Sequence, residues 1–310
     1  MLLNKVFRSL RLQRLYKRLN PTERPCPLCS TEDAVSLSRR DRNGLGLRTV
    51  ACQSCGLIFT SPFLSQIDLD RFYSEMYRGQ TKGQTEPGEF LSTRSWMEIR
   101  ARYFLEQMKD QIGNQHLDFG CGEGSLVQML HHHLPDIQIH LIEPDPVYRS
   151  FAASHCKGKE WVDLSELADA GVTIDSISVI HVLEHVIDPV SVLVAMRSIL
   201  SPGGRVLIDV PDVTRYETLS DLHVSHCTHF CADTLTVVLN KAGFKVLKCL
   251  PHDPPHLPKS IWIEATPSEV AESINYQSAV SMKARQRSRA GIERANQSLL
   301  RYTLNRIVKG

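Results

Sequence analysis

The pattern of apolar and polar positions changes character at Ser95. From there, stretches with apolar residues at helical spacing alternate with short apolar runs, which predicts helices alternating with strands. Helix SWMEIRARYFLEQMKDQ leads to strand QHLDF, helix EGSLVQMLHHHL to strand IQIHLI, and helix DPVYRSFAAS to the short strand KEWVD. SELAD then precedes IDSISVI, DPVSVLVAMRSIL runs to Pro202-Gly203-Gly204 ahead of RVLIDV, and CADTLTVVLNKA ends at Gly243 ahead of FKVLKCL. This alternation predicts an α/β domain over residues 95–266, a parallel sheet covered by helices on both faces. FKVLKCL and SIWIEA flank PHDPPHLPK with no helix between them. They should therefore pair antiparallel at one edge of the sheet.

Outside this region the pattern breaks down into shorter units. Residues 1–20 read as a basic helix whose apolar positions change face near Leu10–Arg11, so a single straight amphipathic helix is not expected. Residues 1–25 form this segment, residues 63–94 a polar linker or lid, and residues 267–310 a polar, basic helical tail. No stretch reads as a secretory leader or a membrane span.

Charge sharpens this division. The net charge is +2. Residues 1–25 carry seven Lys or Arg against one acid and residues 267–310 carry eight against three, leaving the intervening body at net −9. A dedicated nucleic-acid binder would carry a basic face along its folded domain, so nucleic acid is not the expected partner. The first twenty residues offer a contact for the chain's own body or a partner subunit, for an anionic membrane surface or, last of these, for nucleic acid. Nine cysteines, an odd number, fit a reducing cytoplasm better than a disulfide framework.

Candidate chemistry begins at HLDFGCGEGSL, residues 116–126. Glycines at 120, 122 and 124 follow the first strand of the sheet, where open parallel sheets bind ligands. Bare backbone there suits a ligand lying against the chain. A dinucleotide would use GxGxxG and set its pyrophosphate on the helix N-terminus. Here the spacing is GxGxG, Asp118 precedes the loop and Glu123 stands at the helix opening. These carboxylates would repel a pyrophosphate and instead suit an ammonium or sulfonium.

DFGCGEGSL resembles the first motif of class I S-adenosylmethionine-dependent methyltransferases, and further matches follow in order across residues 95–266. The resemblance implies a Rossmann-like, seven-stranded methyltransferase sheet with its last strand antiparallel. It implies that Asp118, Gly120, Gly122 and Gly124 cradle the cofactor S-adenosyl-L-methionine. Glu143, closing IQIHLIEPD, matches the acid that holds the ribose diol, and Asp163 falls near the position that meets the adenine amino group. SVIHVLEHVIDPVSVLVAMRSILSPGGRVLIDVP resembles the corresponding segment of ubiquinone-pathway O-methyltransferases.

Cys26, Cys29, Cys52 and Cys55 fall in two CxxC pairs separated by twenty-two residues. Two thiolate knuckles at this separation predict a closed tetrahedral zinc site over residues 26–62, in which the metal supplies much of the folding energy. A redox CxxC is the weaker reading, since no thioredoxin-like pattern surrounds either pair. RRDRNGLGLR reads as the ribbon's strand hairpin. Residues 26–77 resemble the ribbon and link of bacterial sugar and secondary-metabolite methyltransferases. This implies that the ribbon shapes or lids the substrate site, and that the acceptor is a small molecule or glycan. The Tyr/His/Glu-rich catalytic segment of the sugar C-methyltransferases is not found here, and a hydroxyl is the expected acceptor.

Methyl transfer to oxygen benefits from a base with a pKa near the working pH, which favours histidine. His181 ends the fourth strand beside the cofactor crevice and so is a candidate for both cofactor contact and base. His223, His226 and His229 lie in DLHVSHCTHFCADTL. Relatives carry a His-x-x-His/aromatic pattern there, which makes His226 and His229 the other catalytic candidates. Their threefold spacing also admits a helical turn presenting a second metal site, with Cys227 or Cys231. Glu184 and His185 read mainly as structural. The expectation is a zinc-ribbon methyltransferase; an RNA or protein methyltransferase and a cofactor-binding regulator without turnover are the alternatives.

Overall fold

Two cysteine knuckles and a small antiparallel sheet form the N-terminal unit. The computed structural model describes residues 16, 18–42, 45–73, 95–108, 111–253, 258–268 and 274–308. Strands β1 (Ala34–Ser38), β2 (Thr49–Cys52) and β3 (Ile58–Thr60) pair antiparallel in that order. RRDRNGLGLR, expected as a strand hairpin, is instead the connection between β1 and β2, and the strands lie on either side of it. Helix α1 (Gln66–Phe72) follows, with Ser65 as its N-cap accepting from the Asp68 amide. Tyr16 and Leu19 pack with Phe63, Leu69 and Phe72. The expected basic helix before Tyr16, and residues 74–94 of the linker, lie outside the described residues.

Helix α2 (Ser95–Met108) leads into the large sheet. Its elements follow as β4 (Gln115–Phe119), α3 (Ser125–His133), β5 (Gln138–Ile142), α4 (Pro146–Cys156), β6 (Lys159–Trp161), α5 (Leu164–Asp169), β7 (Ile174–Ile180), α6 (Pro189–Ile199) and β8 (Leu200–Pro211). A two-residue strand β9 (Thr228–His229), α7 (Ala232–Lys241), β10 (Phe244–His252) and β11 (Ser260–Pro267) complete the run. Local sequence explains the helix starts. Asp145 and Asp188 each cap an amide of the first turn, and Pro146 and Pro189 occupy the position where a missing N–H costs nothing.

The sheet order is β10-β11-β8-β7-β4-β5-β6. The β4–β5, β4–β7, β5–β6 and β7–β8 pairs are parallel, whereas β11 runs antiparallel to both β8 and β10. The antiparallel pair was expected; the insertion of the last strand inside the sheet, leaving β10 at the edge, was not. β7 and β8 are covered on both faces. Ile177, Val179, Val206 and Ile208 are fully buried, together with Leu193 and Met196 of α6. Each such side chain stabilises the fold by roughly 1.5–3 kcal/mol on burial.

Ribbon and sheet are joined rather than tethered. β9 pairs with β3, Ile58 opposite His229, so the small sheet has the order β1-β2-β3-β9. Arg24 donates to the carbonyls of Thr60, Ile187 and Cys227. The C-terminal part folds as α8 (Tyr276–Ala279) and the long α9 (Met282–Val308). Arg285 of α9 donates to the carbonyls of Gln53 and Ser54 in the ribbon, and Arg294 to those of Thr214 and Tyr216 in the α/β domain. Ile292 and Ala295 are fully buried. The tail is therefore a strut across both units, with two of its arginines spent on backbone carbonyls. No helix among the described residues is long and apolar enough to cross a membrane.

Candidate functional site

The glycine loop stands at the carboxyl end of β4, between the ends of β5 and β7, the neighbours of β4 in the sheet. Gly120, Gly122 and Gly124 all have positive φ, a conformation that L side chains adopt only with strain. Gly120 meets a steric limit as well, since a Cβ there would stand 2.4 Å from Val182 Cγ2. Gly122 is different. Its φ is +56°, and an added Cβ would meet nothing within 4 Å. Its backbone faces open space, as expected where a ligand lies against the chain.

Glu143, 7% exposed, follows the tip of β5. Its Oε2 accepts the Gly122 amide at 3.0 Å and its Oε1 the Asp145 amide at 3.3 Å. The carboxylate thus fixes the loop from beneath and stands beside the open space. Asp118 is 3% exposed and accepts the Ser178 hydroxyl at 2.7 Å. Burial pushes its pKa up to about 7; the Ser178 hydrogen bond works against that shift, and the charge of Glu143 adds to it. Glu123 is buried at the start of α3, where it accepts from the hydroxyl of Ser125, the first residue of that helix, at 2.8 Å. Asp163 is the N-cap of α5, where the Ser165 hydroxyl and the Glu166 amide hold its carboxyl below the ordinary value.

His181 follows β7 immediately and has φ +54°, a strained conformation for a histidine. Its amide donates to the Asp209 carbonyl at 2.7 Å, which tethers the turn to β8. Nδ1 lies 3.3 Å from Glu184 Oε1, and Nε2 lies 3.3 Å from Ser260 Oγ and 3.9 Å from Asp209 Oδ1. Asp209, 1% exposed, is in turn 2.9 Å from His252 Nδ1. Asp209 and His252 were not singled out in the sequence. The one available signal was an acid closing the strand RVLIDV.

The histidines of the loop before α7 divide into two groups. His229 is locked in β9, 2% exposed, with Nδ1 3.2 Å from the Tyr216 hydroxyl. Burial lowers its pKa to about 4. His226 packs against His185, ring centroids 4.8 Å apart, and its backbone carbonyl accepts from Thr60 Oγ1 of the ribbon. Burial first, then the neighbouring His185, His223 and His229, hold His226 far below its ordinary pKa. The expected helical turn is absent, because the segment runs through a turn into an extended strand. That separates the donors of the second metal site as first conceived. His229 bonds Tyr216, Cys227 Sγ donates to the Glu184 carbonyl, and Cys231 caps α7. What the fold brings to His226 instead is Glu184 and His185, from the turn after β7.

In the ribbon, one sulfur from each of Cys26, Cys29, Cys52 and Cys55 lies within 4.8 Å of the others. Cys26 Sγ and Cys55 Sγ are 3.5 Å apart, as are Cys29 Sγ and Cys52 Sγ. Hydrogen bonds from Cys26 and Cys55 hold the Cys52 thiol far below its ordinary value, and the bond to Cys52 raises Cys26 to about 12. Four clustered sulfurs competing for protons fit a closed tetrahedral zinc shell.

Residues 89–248 match the family described as methyltransferase domain. The ubiquinone biosynthesis O-methyltransferase of Aeromonas salmonicida (strain A449) is 31% identical over 127 residues, 39% of this chain and 53% of that protein. That of Aliivibrio fischeri (strain ATCC 700601 / ES114) is 32% identical over 125 residues, 38% of this chain and 53% of that protein. The chain thus spans about half the length of the curated relatives it matches. Among solved structures, the glycopeptide N-methyltransferase MtfA complexed with S-adenosyl-L-homocysteine is 17% identical, with a TM-score of 0.44, over 54% of this chain and 88% of that chain.

Proposed function

Since the chain belongs to the class I methyltransferase family, with the family's domain over residues 89–248, we propose that it transfers a methyl group from S-adenosyl-L-methionine to a hydroxyl of a sugar, glycan or small metabolite. The observation that carries this reading is the open backbone at Gly122, held by a carboxylate that can also accept both hydroxyls of a ribose. In this reading the Gly120–Gly124 loop and Glu143 hold the nucleoside, Asp118 faces the positively charged end of the donor, and Asp163 is available to the adenine edge.

Methyl transfer from a sulfonium is an in-line displacement, so alignment and exclusion of water carry most of the catalysis. The acceptor oxygen must also lose a proton. His181 is the best-situated base, at the cofactor end of β7 with Glu184 at ion-pair distance from Nδ1, where a carboxylate would stabilise the imidazolium formed. His226 fits a role in guiding the acceptor, and His229 one in fixing the loop through β9 and Tyr216. The ribbon carries a structural Zn2+ on Cys26, Cys29, Cys52 and Cys55. By pairing β3 with β9 it shapes the acceptor side of the crevice. An odd number of cysteines, four of them at metal-ligand spacing, fits a reducing cytoplasm.

Incubating the chain with methyl-labelled donor and a cell extract tests the proposal. Label in a hydroxyl-bearing small molecule or glycan supports it. Label in RNA or protein would replace the acceptor class, and donor binding with no label in any pool would point to a regulator.

A further inference from the structure

Glu184 has the features of a buried ligand rather than of a structural acid. It is 2% exposed, and neither carboxylate oxygen accepts a hydrogen bond among the described residues. Its Oε1 lies 3.3 Å from His181 Nδ1 and 3.8 Å from His185 Nε2. A buried anion is costly unless a cation or hydrogen bonds answer it.

The groups nearest to it are metal-ligating types. Glu184, His185 and His226 each offer a ligand atom within 4.8 Å of the other two. His185 Nδ1 lies 3.0 Å from the Ser225 carbonyl and donates to it, which leaves Nε2, 3.8 Å from Glu184 Oε1, as the ring's electron-pair donor. An imidazole anchored by a backbone carbonyl in this way is the usual arrangement of a metal-bound histidine. His226 Nδ1 is buried and makes no hydrogen bond among the described residues. The backbone also holds the two halves together. The Glu184 carbonyl accepts both the Cys227 amide at 2.9 Å and the Cys227 thiol at 3.4 Å.

We propose that Glu184, His185 and His226 bind a divalent first-row metal ion, zinc first, at a second site distinct from the four-cysteine ribbon. Two imidazoles and one carboxylate match the donor set of open zinc sites, in which three protein ligands leave a position for an exogenous oxygen. The carboxylate stands between both neighbours, with Oε1 3.3 Å from His181 Nδ1 and 3.8 Å from His185 Nε2. Use of the open position by an acceptor hydroxyl rests on the methyl-transfer reading; occupancy of the site does not.

Metal content and cobalt substitution of the full chain test the proposal without any activity assay. Wild-type protein reconstituted with excess Zn2+ and desalted should hold two ions per chain, and Glu184→Gln and His226→Ala should each hold one. Because a variant can lose metal simply by misfolding, the wild type supplies the second measurement. Co2+ replacing the ions should show the intense thiolate-to-metal bands of the ribbon together with a second set of ligand-field bands lacking sulfur character. The second set should persist in Cys52→Ser. One ion per chain with a purely thiolate cobalt spectrum would overturn the site and leave the His181 ring, with Nδ1 3.3 Å away, as the group that answers Glu184. Two ions with no methyl transfer to any acceptor would support the site while removing the catalytic reading.

Discussion

Replacing Gly122 with alanine separates the ligand's contribution from the fold's. An added Cβ meets no protein atom within 4 Å, so the ligand-free chain bears only the cost of a side chain at φ +56°. That is about 1 kcal/mol, which lowers Tm by roughly 2–4 °C for a domain of this size. In the complex the same methyl group would intrude on the nucleoside and displace it from Glu143. Losing one hydrogen bond to a charged group costs about 1.5–3 kcal/mol, or roughly a 10- to 100-fold weaker complex. Calorimetric titration with S-adenosylhomocysteine measures this directly, and thermal melts give an independent check. At a ligand concentration a hundredfold above the wild-type Kd, the wild type should gain about 2.7 kcal/mol of stability and a hundredfold-weakened variant only about 0.4 kcal/mol. Gly120→Ala is the contrasting variant. Its Cβ would stand 2.4 Å from Val182 Cγ2, so it should destabilise the chain even without ligand. If Gly122→Ala melted a few degrees lower yet bound the nucleoside within twofold of wild type, the open space would not be the cofactor's.

Three further outcomes follow from the site. Asp118 titrates near 7 in the folded chain against about 3.8 when unfolded, so the folded state binds the extra proton between those values. The ligand-free chain should lose stability as pH rises from about 4 to 7, and Asp118→Asn should flatten that slope in pH-dependent denaturation. A cationic donor requires the carboxylate, so its affinity should weaken up to tenfold per unit as pH falls below about 7, a trend absent in the same variant. His181→Ala should lower kcat by roughly 10²–10⁴-fold and leave donor affinity within a few-fold, separable by single-turnover kinetics and calorimetry. Cys52→Ser should lower bound zinc and expose the ribbon and the β9 segment to hydrogen exchange while donor binding persists; full metal content would rule out the four-cysteine shell.

The alternation of the sheet was legible because strands buried on both faces read as continuous apolar runs between amphipathic helices. The glycine loop and Glu143 were legible for a different reason, since both lie at strand ends and the strands could be placed. Features that depend on pairing over long separations were not. β9 is two residues long and meets Ile58 with β4 to β8 lying between them in the chain, too short for any period to show. The position of β11 between β8 and β10 leaves no mark in its own pattern. The cluster of Glu184 and His185 with His226 has the same origin, because its members lie in a turn and a loop that the ribbon's packing brings together. The tail read as a polar, basic helix; its work as a strut depends on where Arg285 and Arg294 find carbonyls.

The most direct measurement is a crystal structure of the full chain with S-adenosylhomocysteine. The nucleoside should lie across Gly122 with both ribose hydroxyls on Glu143 and its amino-acid end toward Asp118. An unoccupied crevice at saturating ligand, or a dinucleotide held there in its place, would contradict the account.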